Sequence, residues 1–405
     1  MRIVTEQNPD FSVRKSWPLA QRVGHIEPFH VMALLARARE LEAAGRSIIH
    51  MEIGEPDFAT PEAIRKAGAQ AIERGDTFYT PALGLPALRQ AIAAFYRRRY
   101  GVAVASERII ITPGASGALL LATAALVNPG DEVLLADPGY PANRHFVRLM
   151  DGVPVGIAVG PDSNYQLRSE HLQQHWGIRS KAALLATPSN PTGTLIEPDE
   201  LCAMAHFAAA RGGALIVDEI YHGLVYDGAA QTALALREDV FVINSFSKYF
   251  NMTGWRLGWL VVPPAMVPAV EKLAQNMFIC ASSVAQYAAL ACFTPQAMAI
   301  FESRKAEFHR RRDFIVPALR ALGFLVPVTP DGAFYVYADC SALADDADTL
   351  TRDILNEAGV VLVPGLDFGP HTARNYIRVS YATSMANLEE AVRRLHAYLE
   401  NRKAA

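Results

Sequence analysis

Several polar groups stand directly after apolar, β-branched runs, where strands would deliver them to one end of a sheet. Lys248 closes the run VFVINSFSK, and Arg256 follows eight residues later. Asp218 ends ALIVD and is followed by Tyr221, while Asn190 stands in SNPTG after AALLATP. The stretch IIITPGASGAL reads as a strand, a small-residue turn and a helix start. Its backbone N–H groups and helix dipole make an anion site. A lysine amine, a carboxylate, an arginine, an amide and a phenol around an anion cradle suit a phosphorylated pyridine aldehyde. The lysine condenses with the aldehyde as an imine and later shuttles the substrate's α-proton. The carboxylate faces the ring nitrogen and keeps it protonated, so that the ring accepts carbanion electrons. Donors at the ring phenolate lower the pKa of the imine, and the cradle anchors the phosphate. Lys248, Asp218, Asn190 with Tyr221, and the Gly114–Gly117 turn with Arg256 fit these needs in turn. They point to pyridoxal 5'-phosphate.

The elements that must position these groups alternate along the chain. ERIIIT, EVLLADP, PVGIAV, AALLATP, ALIVDE and VFVINS are continuously apolar, as strands buried on both faces are. Helical patterns such as 117–127 and 199–211 lie between them, which predicts an α/β fold with a mostly parallel sheet of seven strands. In such sheets ligands bind beyond the carboxyl ends of the strands. An amphipathic helix is expected over 28–44, ended by Gly45. Beyond residue 290 the pattern changes to a charged helix over 301–322, then GAFYVYAD, a helix near 349–358, VVLVPG, IRVSYA and a final helix. We read residues 1–50 as an amino-terminal segment packing with a smaller α+β domain over 293–405, and residues 51–292 as the large cofactor domain.

The chain resembles the fold-type I, class I/II pyridoxal-phosphate aminotransferases, in particular the bacterial aspartate and kynurenine aminotransferase-like subgroup. MEIGEPDF, YTPALGLPALR, TPGASGAL, DPGYP, PSNPTG, DEIY, SFSKYFNMTGWRLGW and IRVSYA occur in the order of that family. A lone NPTG turn would be weak, whereas eight motifs in order are specific. The resemblance implies that Lys248 is the Schiff-base lysine and that Asp218 partners the pyridinium nitrogen. It assigns Asn190 and Tyr221 to the phenolic oxygen, and Tyr140 to stacking on the cofactor ring. Ala115, Ser116, Ser245 and Arg256 match the phosphate cradle. Arg378 matches the arginine that grips the substrate α-carboxylate as a planar fork, with the Gly54 backbone close by. Tyr79 resembles a tyrosine that reaches the phosphate of the neighbouring subunit, which implies a homodimer with shared sites. The implied reaction passes an amino group from an L-amino acid to a 2-oxo acid such as 2-oxoglutarate or pyruvate. A C–S β-lyase with the same lysine is the alternative.

Composition agrees with a small-molecule enzyme. A formal charge of -3 on 405 residues offers no basic field for nucleic acid. Cys202, Cys280, Cys292 and Cys340 are scattered, without a CxxC pair or disulfide framework. The amino terminus has no apolar signal core, and no apolar stretch reaches membrane length, so a cytoplasmic protein is expected. His171 and His175 have a metal-ligand spacing but no third ligand in view, so no metal is expected. The competing structural readings are a helix cap for Asp218, an ion pair for Arg378 and simple packing for Tyr79 and Tyr140. Ser116 occupies the place where thermophile-type aspartate enzymes carry a lysine for the distal carboxylate. That change, with His25, Ile26, Phe29 and His30 as an apolar and aromatic cover, predicts a neutral or aromatic donor; aspartate is the alternative.

Overall fold

The computed structural model describes residues 19–28, 30–228, 230–371 and 373–404. Its strands are β1 (Ile49–His50), β2 (Ile109–Thr112), β3 (Glu132–Asp137), β4 (Val153–Ala158), β5 (Ser180–Ala186) and β6 (Ala214–Asp218). They continue with β7 (Phe241–Ser245), β8 (Gly258–Val261), β9 (Tyr335–Asp339), β10 (Val360–Val361), β11 (Val363–Pro364) and β12 (Tyr376–Ser380). A seven-stranded sheet in the order β2-β8-β7-β6-β5-β3-β4 contains all six of the apolar runs expected as strands. Strands β7, β6, β5, β3 and β4 are mutually parallel, and β8 runs antiparallel between β7 and β2. The sequence reading passed over β8 as an element, because GWLV is short and lies inside a polar-looking motif. Its burial on both faces, with Trp259 fully enclosed, explains its apolar make-up.

This topology decides where polar groups converge. Because β8 is reversed, β2 points the same way as the parallel strands. The residues after β2, β3, β5, β6 and β7 therefore emerge at one edge, and the residues before β8 join them. Between β3 and β5 the chain changes its direction of progress across the sheet, and such a switch point opens a crevice for a ligand.

Helix α1 spans His30–Ala43, α2 Glu62–Glu73, α3 Pro86–Tyr100, α4 Gly114–Leu126 and α5 Pro141–Leu149. Helix α4 starts three residues before the expected 117, so the small-residue turn is itself its first turn. Its leading N–H groups thus lack intrahelical acceptors and face the carboxyl edge of the sheet. Helix α1 is capped by Asp367, whose carboxylate accepts from the backbone N–H of His30 and Val31 at 2.7 and 3.0 Å. A carboxylate at a helix N-terminus also complements the helix dipole. Gly45 follows with a φ of +85°, the left-handed stop that its position predicted. The charged helix begins at Pro295 rather than 301 and runs to Ala321, because Thr294 caps the N–H of Ala297 and Pro295 suits a first turn.

Strands β11, β12 and β9 form a separate antiparallel sheet, and β1 pairs in parallel with β10. Leu34, Ala38 and Leu41 of α1 cluster with Leu355 and Val361, so α1 packs on carboxyl-terminal elements. Among the described residues, no single helix is long and apolar enough to cross a membrane.

The junction of α4 with β8 has no spare room. A Cβ on Gly258 would stand 2.7 Å from the Gly114 carbonyl carbon, 2.9 Å from the Ala115 nitrogen and 2.9 Å from the Asn244 oxygen. All three are backbone atoms, on α4 and on β7, so only backbone shifts relieve the clash. Gly258→Ala is expected to cost about 1–3 kcal/mol, as overpacked cores do. Calorimetry should show a lowered melting temperature, with Gly24→Ala, which meets nothing within 4 Å, as the unchanged control.

Candidate active site

One cavity of about 530 Å³ opens at the carboxyl edge of the large sheet. Ten of the residues singled out in the sequence line it: Gly54, Ala115, Ser116, Tyr140, Asn190, Asp218, Tyr221, Lys248, Arg256 and Arg378. Two do not. The Ser245 hydroxyl is turned inward, donating to the Leu257 carbonyl at 3.0 Å with Ser247 Oγ 2.9 Å away, and Ser247 takes the place at the cavity wall. In this Ser-Phe-Ser triplet the sequence offered two hydroxyls and no means of telling which one faces in. Tyr79 is 79% exposed on the outer surface, beside Phe78 at 84%.

At one end, the first turn of α4 meets Arg256. The residue is exposed, and its Nη1 donates to the Thr253 carbonyl at 3.0 Å. Gly114 has a φ of +70°, and a Cβ there would lie 2.7 Å from Arg256 Nη2, so a glycine lets the guanidinium close on the helix start. Unpaired N–H groups, the Ser116 hydroxyl and a cation form a site for a dianionic group.

Behind this lies Asp218, buried, with one oxygen accepting from the N–H of Ile220 at 3.0 Å. Burial raises its carboxyl to about 7, against the opposing pull of that N–H and of the Lys248 charge. A protonated ring nitrogen opposite this carboxylate would stabilise its ionised form. Lys248 donates to the Gly54 carbonyl. Loss of hydration lowers its amine to about 8; Glu55 opposes that shift and the charges of Arg256 and Arg378 add to it. Tyr221 is pushed well above the ordinary tyrosine range by burial, which keeps its proton on as a donor.

At the other end, Arg378 on β12 is buried. Its Nη1 donates to Asn190 Oδ1 at 3.0 Å and its Nη2 to the Glu52 carbonyl, while Nε has no partner. The guanidinium lies 4.4 Å from the centre of the Tyr335 ring and 5.0 Å from that of Phe368. With its carbonyl oxygen turned to Arg378, Asn190 keeps its amide N–H groups for the cavity. No carboxylate pairs with Arg378 among the described residues, against the ion-pair reading.

The sequence reading missed Tyr335, Phe368, Glu52, Asp367 and Ser247, all of which line the cavity. Tyr335 was visible only as one position of an alternating strand. The signal that would have found it is its in-phase spacing on the strand paired with IRVSYA. The expected apolar cover also moves: Val31, Met32 and Leu35 of α1 line the cavity, joined by Ile53, whereas His25, Ile26 and His30 do not. Phe29 lies outside the described residues. Spacing on α1 explains the change, since residues four apart share a helix face and the loop before it points elsewhere.

Residues 46–395 match the family model for aminotransferase class I and II. The chain belongs to the class I and II aminotransferases. It is 39% identical to a Mycobacterium tuberculosis valine–pyruvate aminotransferase over 383 residues, 94% of this chain and 98% of that one. It is 36% identical to a Geobacillus stearothermophilus aspartate aminotransferase, covering 95% and 99% of the two chains. Its fold superposes on the crystal structure of an aminotransferase from Mycobacterium tuberculosis with a TM-score of 0.92 at 39% identity, covering 95% and 100%. For Thermus thermophilus aspartate aminotransferase with maleate the values are 0.89 and 34%, covering 94% and 100%. This aminotransferase is accordingly a fold-type I enzyme that moves amino groups between amino acids and 2-oxo acids, a family chemistry that depends on pyridoxal phosphate. The lyase alternative has no support among these relatives.

The lowered amine of this transaminase can be measured without cofactor. Only the neutral amine reacts with acylating reagents, and its fraction rises as pH rises through the pKa. Labelling of Lys248 in the apoprotein, followed by peptide mass spectrometry, should climb with a midpoint near 8. Ordinary lysines should label with a midpoint near about 10.4. Glu55→Gln removes the charge that raises the Lys248 value and should move its midpoint lower.

Proposed function

We propose that this transaminase holds pyridoxal 5'-phosphate in the cavity described above and takes its amino group from a neutral donor with an apolar or aromatic side chain. The observation that carries the reading is Arg378, a buried guanidinium with a free Nε, no carboxylate partner among the described residues and a place in the same cavity as Lys248. An unpaired buried cation is costly unless a ligand anion completes it. The α-carboxylate common to amino acids and 2-oxo acids is that anion.

The residues fit the cofactor. Lys248 would anchor it, Asp218 would face its ring nitrogen, and Tyr140 would stack on the ring. Asn190 and Tyr221 would donate to its ring oxygen, while Ala115, Ser116 and Arg256 would hold its phosphate. Ser245 keeps a place in this reading through Ser247, whose Oγ lies 2.9 Å from its hydroxyl. When bound, the cofactor supplies an electron sink for the bond broken at the substrate Cα. Arg378 orients the substrate so that Lys248 Nζ can take the proton from Cα. An amine near 8 is better matched to that task than an ordinary lysine, because a larger share of it is neutral near neutral pH while it stays basic enough to accept. Phe368 and α1 cover the site and keep water from competing.

Donor choice follows from what covers the distal end. Val31, Met32, Leu35, Ile53 and Phe368 are apolar, and the acids Glu52, Glu55 and Asp367 stand beside them. The cations of the lining are Lys248, Arg256 and Arg378, each already assigned, and Ser116 adds none. A second carboxylate would enter without a counter-charge, at a cost of several kcal/mol. Similarity to a relative named for valine and pyruvate supports the same choice.

The division at residues 292–293 and a homodimer belong to the same reading. The separate antiparallel sheet supports the first. The second is supported by Phe78 and Tyr79, two adjacent exposed aromatic residues that a second copy would cover. The partner's Tyr79 would then reach the phosphate end of the cavity.

Three experiments test these statements. Borohydride treatment of the yellow holoenzyme should fix the cofactor on Lys248, and kcat/KM for valine, methionine and phenylalanine should exceed that for aspartate at least tenfold. A tenfold preference for aspartate, about 1.4 kcal/mol in the transition state, would refute the donor assignment. For the dimer, refolding Lys248→Ala and Tyr79→Phe chains together should give more activity than the two apart, since each hybrid holds one intact site. Full activity in a monomer at nanomolar concentration would overturn the arrangement.

A further inference from the structure

The geometry points to Tyr335 as a positioning residue that serves both ends of the reacting group: its ring fixes Arg378, and its hydroxyl donates to Tyr221, strengthening the hydrogen bond that Tyr221 gives the cofactor. This rests on the reading that Tyr221 donates to the bound ring oxygen. Tyr335 is fully buried on β9 and lines the cavity. Its hydroxyl lies 3.0 Å from that of Tyr221, and the two rings meet edge to face at 5.8 Å. The Arg378 guanidinium sits over the same ring at 4.4 Å.

The direction of the bond between the phenols follows from proton counting. Each hydroxyl has a single proton. If Tyr221 commits its proton to the cofactor, it can only accept from Tyr335, so Tyr335 donates. A donor that itself accepts a hydrogen bond is polarised and donates more strongly. Burial raises both phenols, so neither ionises at working pH. Tyr335 also sets the space at Gly54, where a Cβ would lie 2.7 Å from its hydroxyl oxygen. One side chain from the carboxyl-terminal sheet therefore registers the carboxylate fork on β12 against the phenol that follows β6.

Tyr335→Phe removes the hydroxyl and keeps the ring and its volume. In the holoenzyme, the pH midpoint of the cofactor's visible absorbance should rise by roughly 0.3–1 unit, the size of one neutral hydrogen bond. Tyr221→Phe should raise it further, and the double variant should match Tyr221→Phe alone, because the Tyr335 effect passes through Tyr221. The KM for the amino acid should stay within about twofold in Tyr335→Phe. It should rise roughly 3- to 30-fold in Tyr335→Leu, which takes the ring from under Arg378. A merely structural role would lower the melting temperature and leave the absorbance midpoint in place. An unmoved midpoint in Tyr335→Phe with a raised one in Tyr221→Phe overturns the inference alone. An unmoved midpoint in Tyr221→Phe overturns the cofactor reading of Tyr221 and this inference with it.

Discussion

Lys248, Asp218 and Arg378 are withdrawn from bulk water in one cavity without a direct ion pair among them, and the surrounding structure makes that arrangement tolerable. An isolated buried charge costs several kcal/mol, so each must either shift its protonation or find polar atoms. Lys248 and Asp218 take the first route: burial draws the amine down to about 8 and lifts the carboxyl to about 7. Arg378 has no accessible neutral form. It rests instead on the Glu52 carbonyl, the Asn190 amide oxygen and two aromatic faces. In the proposed reading a ligand would complete all three groups: a cationic ring nitrogen opposite Asp218, an aldehyde taken up by the neutral amine of Lys248, and a carboxylate on Arg378. The cavity thus carries the electrostatic demand that this chemistry would use.

The floor of this site was legible in the sequence because its residues are fixed by strand ends. Continuous apolar runs mark parallel strands buried on both faces, and the next polar residue must lie at the sheet edge. Asp218 follows from that rule alone, and Asn190 and Lys248 lie within four residues of their strand ends. Three features were not legible for physical reasons. The reversed β8 is too short to carry a pattern, yet without it β2 and the start of α4 would not face the other strand ends. Ser245 and Ser247 differ only in which way a tight loop turns them. Tyr335 belongs to a strand whose alternation gives its face but not what that face meets. The roles of Arg378 and Tyr79 came from family resemblance, since strand pattern explains neither a buried arginine nor an exposed tyrosine.

The roof has a different physics from the floor. Helix α1 is fastened at its start by the Asp367 carboxylate and near its end through His50, whose ring meets Glu52 at 2.7 Å and Glu42 at 3.2 Å. The hydrogen bond that His50 donates to Glu52 is the main reason that the imidazole rises to about 9 and stays charged at neutral pH. Because this value lies above the ordinary 6.5, the stabilisation is complete below 6.5 and fades as pH rises through about 9. Glu52 also gives its backbone carbonyl to Arg378, so one residue ties the roof to the carboxylate fork. The histidine side of the pair is partly exposed, while the Glu52 side chain is buried.

Separate mechanics for floor and roof bear on substrate choice. The floor acts on the part of the substrate that every amino acid shares, the α-carbon and its carboxylate, so it can stay constant while donors differ. The roof meets only the distal side chain, and it is built from one helix, one loop residue after β1 and Phe368. Few substitutions there are needed to exchange an apolar cover for a cationic one. That explains how chains with 39% and 36% identity to this one carry the names of a valine and an aspartate enzyme on one fold. Overall identity reports the floor and the sheet beneath it. In the proposed reading, position 116 and the inner face of α1 set the donor, and in this chain both are without a positive charge.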